Sequence, residues 1–207
     1  YDGNVYLGGS FTHLSGGGRT KVYARNAGRV GLDARPDRSW NPEISGAVQA
    51  VGVSEANSAF YAGGHFTTAH GNQRAWYAAK FSTQPGAALD TDFNFEPSSA
   101  SAGKYQQTIA TAGNRVYGGS EHSLFGYDTA TNQRLSGTVT FSMGGDLQAT
   151  TVSAKGVIYG SCHCSDGAYQ DMYVWTMNGS WSRVDEIKWV GAWDAATGES
   201  LKWTPFE

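Results

Sequence analysis

Val5-Tyr6-Leu7-Gly8-Gly9-Ser10-Phe11-Thr12 returns as Phe60-Tyr61-Ala62-Gly63-Gly64-His65-Phe66-Thr67, and this recurrence decides how the rest of the chain is read. The two stretches lie 55 residues apart, and at that offset Gly16 falls on Gly71, Arg19 on Arg74 and Ala24 on Ala79. A third copy, Val116-Tyr117-Gly118-Gly119-Ser120, follows after 56 residues, and a fourth, Ile158-Tyr159-Gly160-Ser161, after 42. Self-similarity at such a period is the signature of a repeat architecture.

Another strand precedes each of the last three tyrosines. Val48-Gln49-Ala50-Val51 lies before Tyr61, Tyr105-Gln106-Gln107-Thr108-Ile109 before Tyr117, and Leu147-Gln148-Ala149 before Tyr159. The connecting turns are Ser54-Glu55-Ala56-Asn57, Ala112-Gly113-Asn114 and Ala154-Lys155-Gly156, which makes each unit begin as an antiparallel hairpin. A third strand is read at Val22-Tyr23-Ala24-Arg25, Trp76-Tyr77-Ala78-Ala79-Lys80, Leu124-Phe125-Gly126-Tyr127-Asp128 and Val190-Gly191-Ala192-Trp193-Asp194. A short fourth ends near Trp40-Asn41-Pro42, Phe93-Asn94-Phe95-Glu96-Pro97, Val139-Thr140-Phe141 and Leu201-Lys202-Trp203.

Four antiparallel strands per unit at these periods match the blade of a β-propeller, whose repeats run to about 40–50 residues. A parallel solenoid needs a shorter period, and an immunoglobulin-like sandwich does not repeat internally. The expectation is an all-β propeller of four-stranded antiparallel blades, about four in this chain and one of them incomplete. The copies span 1–43, 44–98, 103–142 and 145–207, forming one domain or part of one. Nothing before Tyr1 supplies an inner strand for the first copy, and the chain opens Tyr1-Asp2-Gly3 without an initiator methionine. A fragment of a longer or processed polypeptide, with neighbours on both sides, is therefore expected. Gly-Gly after the tyrosine permits close backbone approach, and the phenylalanine of Gly-Gly-x-Phe-Thr is placed to pack between sheets.

Composition agrees. Glycine contributes 28 residues and aromatics 13%, while charged residues reach only 16%, against about 25% in a typical soluble domain. That mix excludes a disordered chain and argues against a helical bundle. A net charge of −3 gives no basic field to hold a phosphate backbone, so nucleic acid is not an expected partner. No apolar run is long enough for a membrane-spanning helix, so membrane insertion is not expected either.

Leu7-Gly8-Gly9-Ser10-Phe11-Thr12 and Ala62-Gly63-Gly64-His65-Phe66-Thr67, with the Gly and Arg that follow them, resemble the delta-60 type β-propeller repeat. Trp193-Asp194-Ala195-Ala196-Thr197-Gly198 resembles the Asp-x-x-Thr-Gly turn of quinoprotein-like and related propellers. The resemblance is sharp in the first two copies; the third has Glu121-His122 in place of Phe-Thr, and the fourth continues into Cys-His-Cys. It implies a secreted or surface protein of actinobacteria, or a minor tail protein of a phage that infects them, with no defined catalytic residue in the repeat. The stretch from Gly144-Gly145-Asp146 to Trp193-Asp194 looks most like the phage-tail members.

The fourth copy carries an insertion at about 161–187, since Tyr159 and Trp193 stand 34 residues apart where Tyr117 and Tyr127 stand 10 apart. Loops of this kind usually carry binding specificity. Tyr169, Tyr173, Trp175 and Trp181 in or beside it are candidates to stack on sugar rings or anchor a protein contact; the competing reading has them covering the unit's own apolar edge. Cys162 and Cys164 are a candidate thiol pair or disulfide. Zinc would need further ligands, and His13, His65, His70 and His122 belong to other copies, so neither a metal nor another cofactor is expected.

No catalytic constellation stands out. Asp33, Asp37 and Asp90 fall in loops, and Asp128 and Asp194 occupy equivalent turns, where aspartate bonds its own backbone. Asp185-Glu186 would point to opposite faces of a strand, which does not suit the facing carboxylates of a glycosidase. Asn178-Gly179-Ser180 is a formal glycosylation sequon. The expected function is a non-catalytic structural or interaction propeller in a larger assembly, a phage minor tail or tail-tip protein of the virion that contacts neighbouring tail proteins or the host cell-wall glycan. The rivals are a secreted or cell-surface adhesion or carbohydrate-binding propeller, and a propeller-fold glycosidase or quinoprotein-like enzyme.

Overall fold

Short runs of Val, Ile, Tyr, Phe and Thr, broken every few residues by Gly, Asn or Asp, have no helical period to follow and form strands. The computed structural model describes residues 1–18, 20–93, 95, 107–120, 122–140, 146–165, 167–173 and 180–205, and every named element in it is a strand. The first copy contains β1 (Asn4–Gly8), β2 (His13–Leu14), β3 (Val22–Tyr23) and β4 (Ala27–Gly31). The second contains β5 (Ala47–Ser54), β6 (Ala59–His65), β7 (Thr68–Ala69), β8 (Gln73–Arg74) and β9 (Ala78–Ser82). The third contains β10 (Thr108–Ala112), β11 (Arg115–Gly119), β12 (Ser123–Asp128) and β13 (Arg134–Thr140). The fourth contains β14 (Leu147–Val152), β15 (Val157–Cys162), β16 (Gly167–Gln170), β17 (Arg183–Glu186) and β18 (Val190–Asp194).

All pairings are antiparallel. The main sheets are β1-β4, β5-β6-β9, β10-β11-β12-β13-β16-β17 and β14-β15-β18, with β2-β3 and β7-β8 as small separate ribbons. The tyrosine of each copy sits on the second strand of its unit and faces the third strand in register: Tyr6 opposite Arg29, Tyr61 opposite Lys80, Tyr117 opposite Gly126 and Tyr159 opposite Ala192. A continuous fourth strand forms in the third copy alone among the described residues. Elsewhere it is reduced to single bridges, Val30 with Pro36, Phe81 with Leu89 and Trp193 with Ser200.

Two sequence readings need correction. Val22-Tyr23 is not the third strand of the first copy, because it pairs with His13-Leu14 in a ribbon and the third strand is β4. The offset of 55 also does not persist. Ala24 N bonds Thr12 O where Ala75 N bonds Thr67 O, and Asn26 N bonds Phe11 O where Tyr77 N bonds Phe66 O. Ala24 therefore corresponds to Ala75 and not to Ala79, since the second ribbon turns through a loop four residues shorter than the first. A match of residue types at constant spacing hid a deletion.

The core is built between consecutive sheets. Tyr6 and Trp40 of the first copy pack on Ile44, Val48, Phe60, Phe66 and Phe81 of the second. Tyr61 and Ala59 of the second pack on Ile109, Val116, Phe125 and Tyr127 of the third. Tyr117 and Leu124 of the third pack on Leu147, Ile158 and Trp193 of the fourth. The tyrosine side of each sheet thus meets the opposite side of the next, whose entry residue directly precedes the next tyrosine. At Gly64, opposite the bulge that Gln49 makes in β5, a Cβ would collide with the carbonyl oxygen of Ala47.

Candidate binding surface

The second-to-third-strand connection is the variable part of the unit. One hydrogen bond closes its base in every copy: Gly9 N to Asn26 O at 3.0 Å, Gly64 N to Tyr77 O at 2.8 Å, Ser120 N to Ser123 O at 3.0 Å and Cys162 N to Trp189 O at 2.8 Å. Beyond that base the third copy makes a short turn, the first two make a small ribbon, and the fourth makes the hairpin β16–β17. Residues 161–187, read as a surface loop, therefore contain a strand pair. It is an enlarged form of a feature that two other copies already have.

The hairpin does not extend its own sheet. Thr138, Val139 and Thr140 of β13 pair with Gln170, Tyr169 and Ala168, so the fourth copy lays its connection along the outer strand of the third. The second copy does the same on a smaller scale: His70 N bonds Pro42 O, tying its ribbon to the outer segment of the first, and Ser45 N bonds Thr68 O beside it.

This placement separates the candidate aromatics. Tyr169 and Tyr173 are half-buried against the core between the second and third sheets. Tyr173 lies 6.0 Å from Phe125 and beneath the Arg134 guanidinium at 4.5 Å. Burial raises its phenolic pKa, with Asp171 adding to the effect. Both residues cover an apolar edge. Trp181 packs edge-on against Tyr169 at 5.3 Å and remains 44% exposed. Trp175 and the Asn178-Gly179 pair of the sequon lie outside the described residues.

The equivalent connections carry exposed aromatics, of which sequence reading assigned Tyr23 and Trp76 to third strands and gave Trp189 no place. Tyr23, Trp76 and Trp189 are all exposed, and all three stand between second and third strands. Antiparallel pairing places these connections at one end of every sheet, opposite the first turns. Arg74 lies over the Trp76 ring at 3.8 Å, and beside them is a cavity of about 360 Å³ that Gln73, Thr91 and Phe93 also line. Trp189 holds a φ of +62°, as do Tyr77 at +60° and Asn26 at +61° at the equivalent position. That backbone region is costly for a bulky residue. A sequence signal existed: aromatic residues at positions whose types differ between copies are not required by the unit.

Cys162 and Cys164 are joined as a disulfide, with Cα atoms 5.1 Å apart. They occupy the positions of Gly64 and Phe66, since Trp189 N bonds Cys164 O as Tyr77 N bonds Phe66 O. Both cysteines are buried in the core between the third and fourth sheets, so the pair replaces a buried phenylalanine.

The carboxylates are held by structural bonds. Asp128 accepts from the Ala130 and Thr131 amides at 2.9 and 2.8 Å, and Asp194 accepts from those of Ala196 and Thr197, both at 2.8 Å. Those backbone bonds, Thr131 first for one and Thr197 first for the other, hold both acids below the usual carboxylate range. Asp185 is buried, with Arg183 Nε at 2.8 Å, while Glu186 beside it is exposed. Among the described residues, no group of three or more His, Cys, Asp or Glu is placed to hold a metal ion. No helix there is long and apolar enough to cross a membrane.

No family model matches the chain, and no curated protein matches it. Among solved structures the chain is similar to a chain of the crystal structure of the mitotic checkpoint complex, at 8% identity and a TM-score of 0.47. The match covers 95% of this chain and 66% of that one, so this chain spans about two thirds of its length.

Proposed function

We propose that the four consecutive sheets are blades of a β-propeller, and that the protein is a non-catalytic interaction module. Its proposed place is the tail of a phage, as a minor tail or tail-tip protein that contacts the host surface. Support for the blades comes from the single direction of stacking, in which each tyrosine face meets the entry face of the next unit. The observation that carries the interaction role is the set of exposed aromatics, Tyr23, Trp76, Trp181 and Trp189, on variable connections at one end of the sheets. Aromatic rings on a rigid scaffold supply contact area at low conformational cost. The engagement of Asp128, Asp185 and Asp194 in structural bonds favours this reading over hydrolytic chemistry.

A secreted or cell-surface propeller that binds carbohydrate is the second reading, favoured by the Arg74–Trp76 pair beside its cavity, since sugar rings stack on such faces. Co-sedimentation of the purified protein with actinobacterial cell walls tests the surface as a whole. Binding is expected, and changing Trp76, Trp181 and Trp189 together to Ala should weaken it at least about tenfold while the fold is kept. Loss of binding after periodate treatment of the walls selects glycan as the ligand, and loss after proteolysis selects protein. Equal binding by the triple variant would refute the assignment of this end.

A further inference from the structure

Three of the connections between second and third strands present two exposed residues around one buried one. These are Tyr23 and Arg25 around Ala24, Arg74 and Trp76 around Ala75, and Glu186 and Lys188 around Ile187. The first two copies thus hold the same pair, an aromatic ring and a guanidinium, in opposite order. In the first copy the pair is engaged within the protein: Arg25 donates to Ser45 O at 3.2 Å, and Tyr23 packs edge-on against His13 at 5.6 Å. In the second copy the guanidinium is free. Arg25, Arg29, Arg35, Arg38, Arg115 and Arg183 each hold a hydrogen bond or an ion pair, whereas Arg74 makes neither with a described residue. Its guanidinium carbon rests 3.8 Å from the centre of the half-exposed Trp76 ring. A guanidinium held in this way keeps its N–H groups at its own edge, where they match the paired oxygens of a carboxylate or a phosphate.

The cavity of about 360 Å³ beside this pair supplies the rest of a site, at the lower end of the size range of small-ligand pockets. Gln73 and Thr91 bring hydrogen-bonding groups to it and Trp76 and Phe93 bring aromatic walls, while no acidic side chain among the described residues lines it. Asp90, next to Thr91, is already held by Lys80 and Asn132. A sugar ring has the matching surface, an apolar face for the indole and hydroxyls for the amide and the threonine. The net charge of −3 offers an anion no general attraction, so a preference for one must come from Arg74 locally. The site lies in the second copy, whose sheet is packed against the first and the third.

We propose that this cavity binds an acidic sugar residue, its ring against the exposed part of Trp76 and its carboxylate or phosphate held by the in-plane N–H groups of Arg74. The inference rests on the second reading given above, carbohydrate binding at this cavity, and adds the charge that the sugar carries.

Isothermal titration calorimetry of the whole chain at low salt, with trigalacturonate and with neutral galactotriose, provides the test. The acidic trimer is expected to bind at least about tenfold more tightly, and the difference to shrink as salt is raised. Arg74→Gln should bring the acidic trimer down to the affinity of the neutral one, and Trp76→Ala should weaken both. Both residues are exposed, and circular dichroism checks that the variants stay folded. Galacturonic acid and galactose 6-phosphate, each compared with galactose, tell a carboxylate from a phosphate, and tighter binding of either supports the site. Equal affinity for the two trimers, or an acidic preference that survives R74Q, would overturn the inference and leave neutral-sugar binding standing. Binding of neither trimer would also overturn it, and periodate-sensitive wall binding would then keep the carbohydrate reading alone.

Discussion

The Tyr117 hydroxyl donates a 2.9 Å hydrogen bond to the carbonyl oxygen of Ala195, joining the third sheet to the fourth across 78 residues of chain. Ala195 stands three residues beyond the partner of Tyr159, as Thr129 stands beyond that of Tyr117 and Thr83 beyond that of Tyr61. The other two contacts address this same carbonyl with different donors. Arg29 donates to Thr83 O, and Lys80 donates to Thr129 O at 2.9 Å. The acceptor is constant because it belongs to the backbone of the unit, while the donor changes with the third-strand residue of the preceding copy.

Tyr117→Phe removes the donor and leaves a buried carbonyl without it, which should cost about 1–2 kcal/mol of stability. Tyr61 is the internal control: its hydroxyl is buried and has no partner among the described residues. Tyr61→Phe is expected to be neutral or stabilising. Urea denaturation of both variants checks the contrast, and equal losses would contradict it.

Asp90 links the second and third copies, taking bonds from Lys80 at 2.9 Å and from Asn132 at 3.0 Å. Burial alone would raise its pKa, but the hydrogen bonds from Asn132 and Lys80 outweigh it and hold the acid below its ordinary value. The folded protein then binds this proton less readily than the unfolded chain does. Its stabilising contribution is full above the unfolded carboxylate pKa of about 3.9 and is lost as pH falls through the lower folded value. Asp90→Asn should lower the melting temperature at neutral pH and flatten the acid limb of a stability–pH curve. Arg29 and Asp37, 2.7 Å apart, form the corresponding pair in the first copy.

Without reductant, alkylation should leave Cys162 and Cys164 unmodified; with reductant it should add two adducts by mass spectrometry. The closed loop is very short, so chain entropy accounts for only about 1–2 kcal/mol. Reduction is expected to lower the melting temperature by about 2–8 °C in a chain of this size. Two alkylated thiols in the untreated protein would count against the bond.

Trp189 combines an exposed ring with a positive φ that Asn26 occupies at the equivalent position of the first copy. Trp189→Asn should therefore stabilise the protein, by up to about 1 kcal/mol, while reducing cell-wall binding. A loss of stability would show that the ring is a packing element. An unchanged affinity would remove Trp189 from the binding surface.

Most of the architecture was legible because the tyrosine, the Gly-Gly pair and the first turn are demanded by the unit itself, and demand repeats. The strands preceding Tyr61 and Tyr159 fall where alternation and turn residues place them; the one preceding Tyr117, β10, overlaps its sequence reading at Thr108-Ile109, and Tyr105-Gln106 lie outside the described residues. The third strand of the first copy was not legible: Val22-Tyr23 has better strand chemistry than Ala27–Gly31, and only tertiary pairing selects the latter. The insertion was visible as extra length between Tyr159 and Trp193, but nothing in its residues names β13 as the strand it joins.

By itself, the sequence determined the antiparallel hairpins and the turns closed by Asp128 and Asp194, because local chemistry and periodicity suffice for these. Tertiary structure alone decided which aromatics are buried. Tyr61 and Tyr159 occupy the same position of the repeat, yet one is fully buried and the other is 37% exposed. Burial is a property of what lies alongside, and a residue's position in a repeat does not carry it.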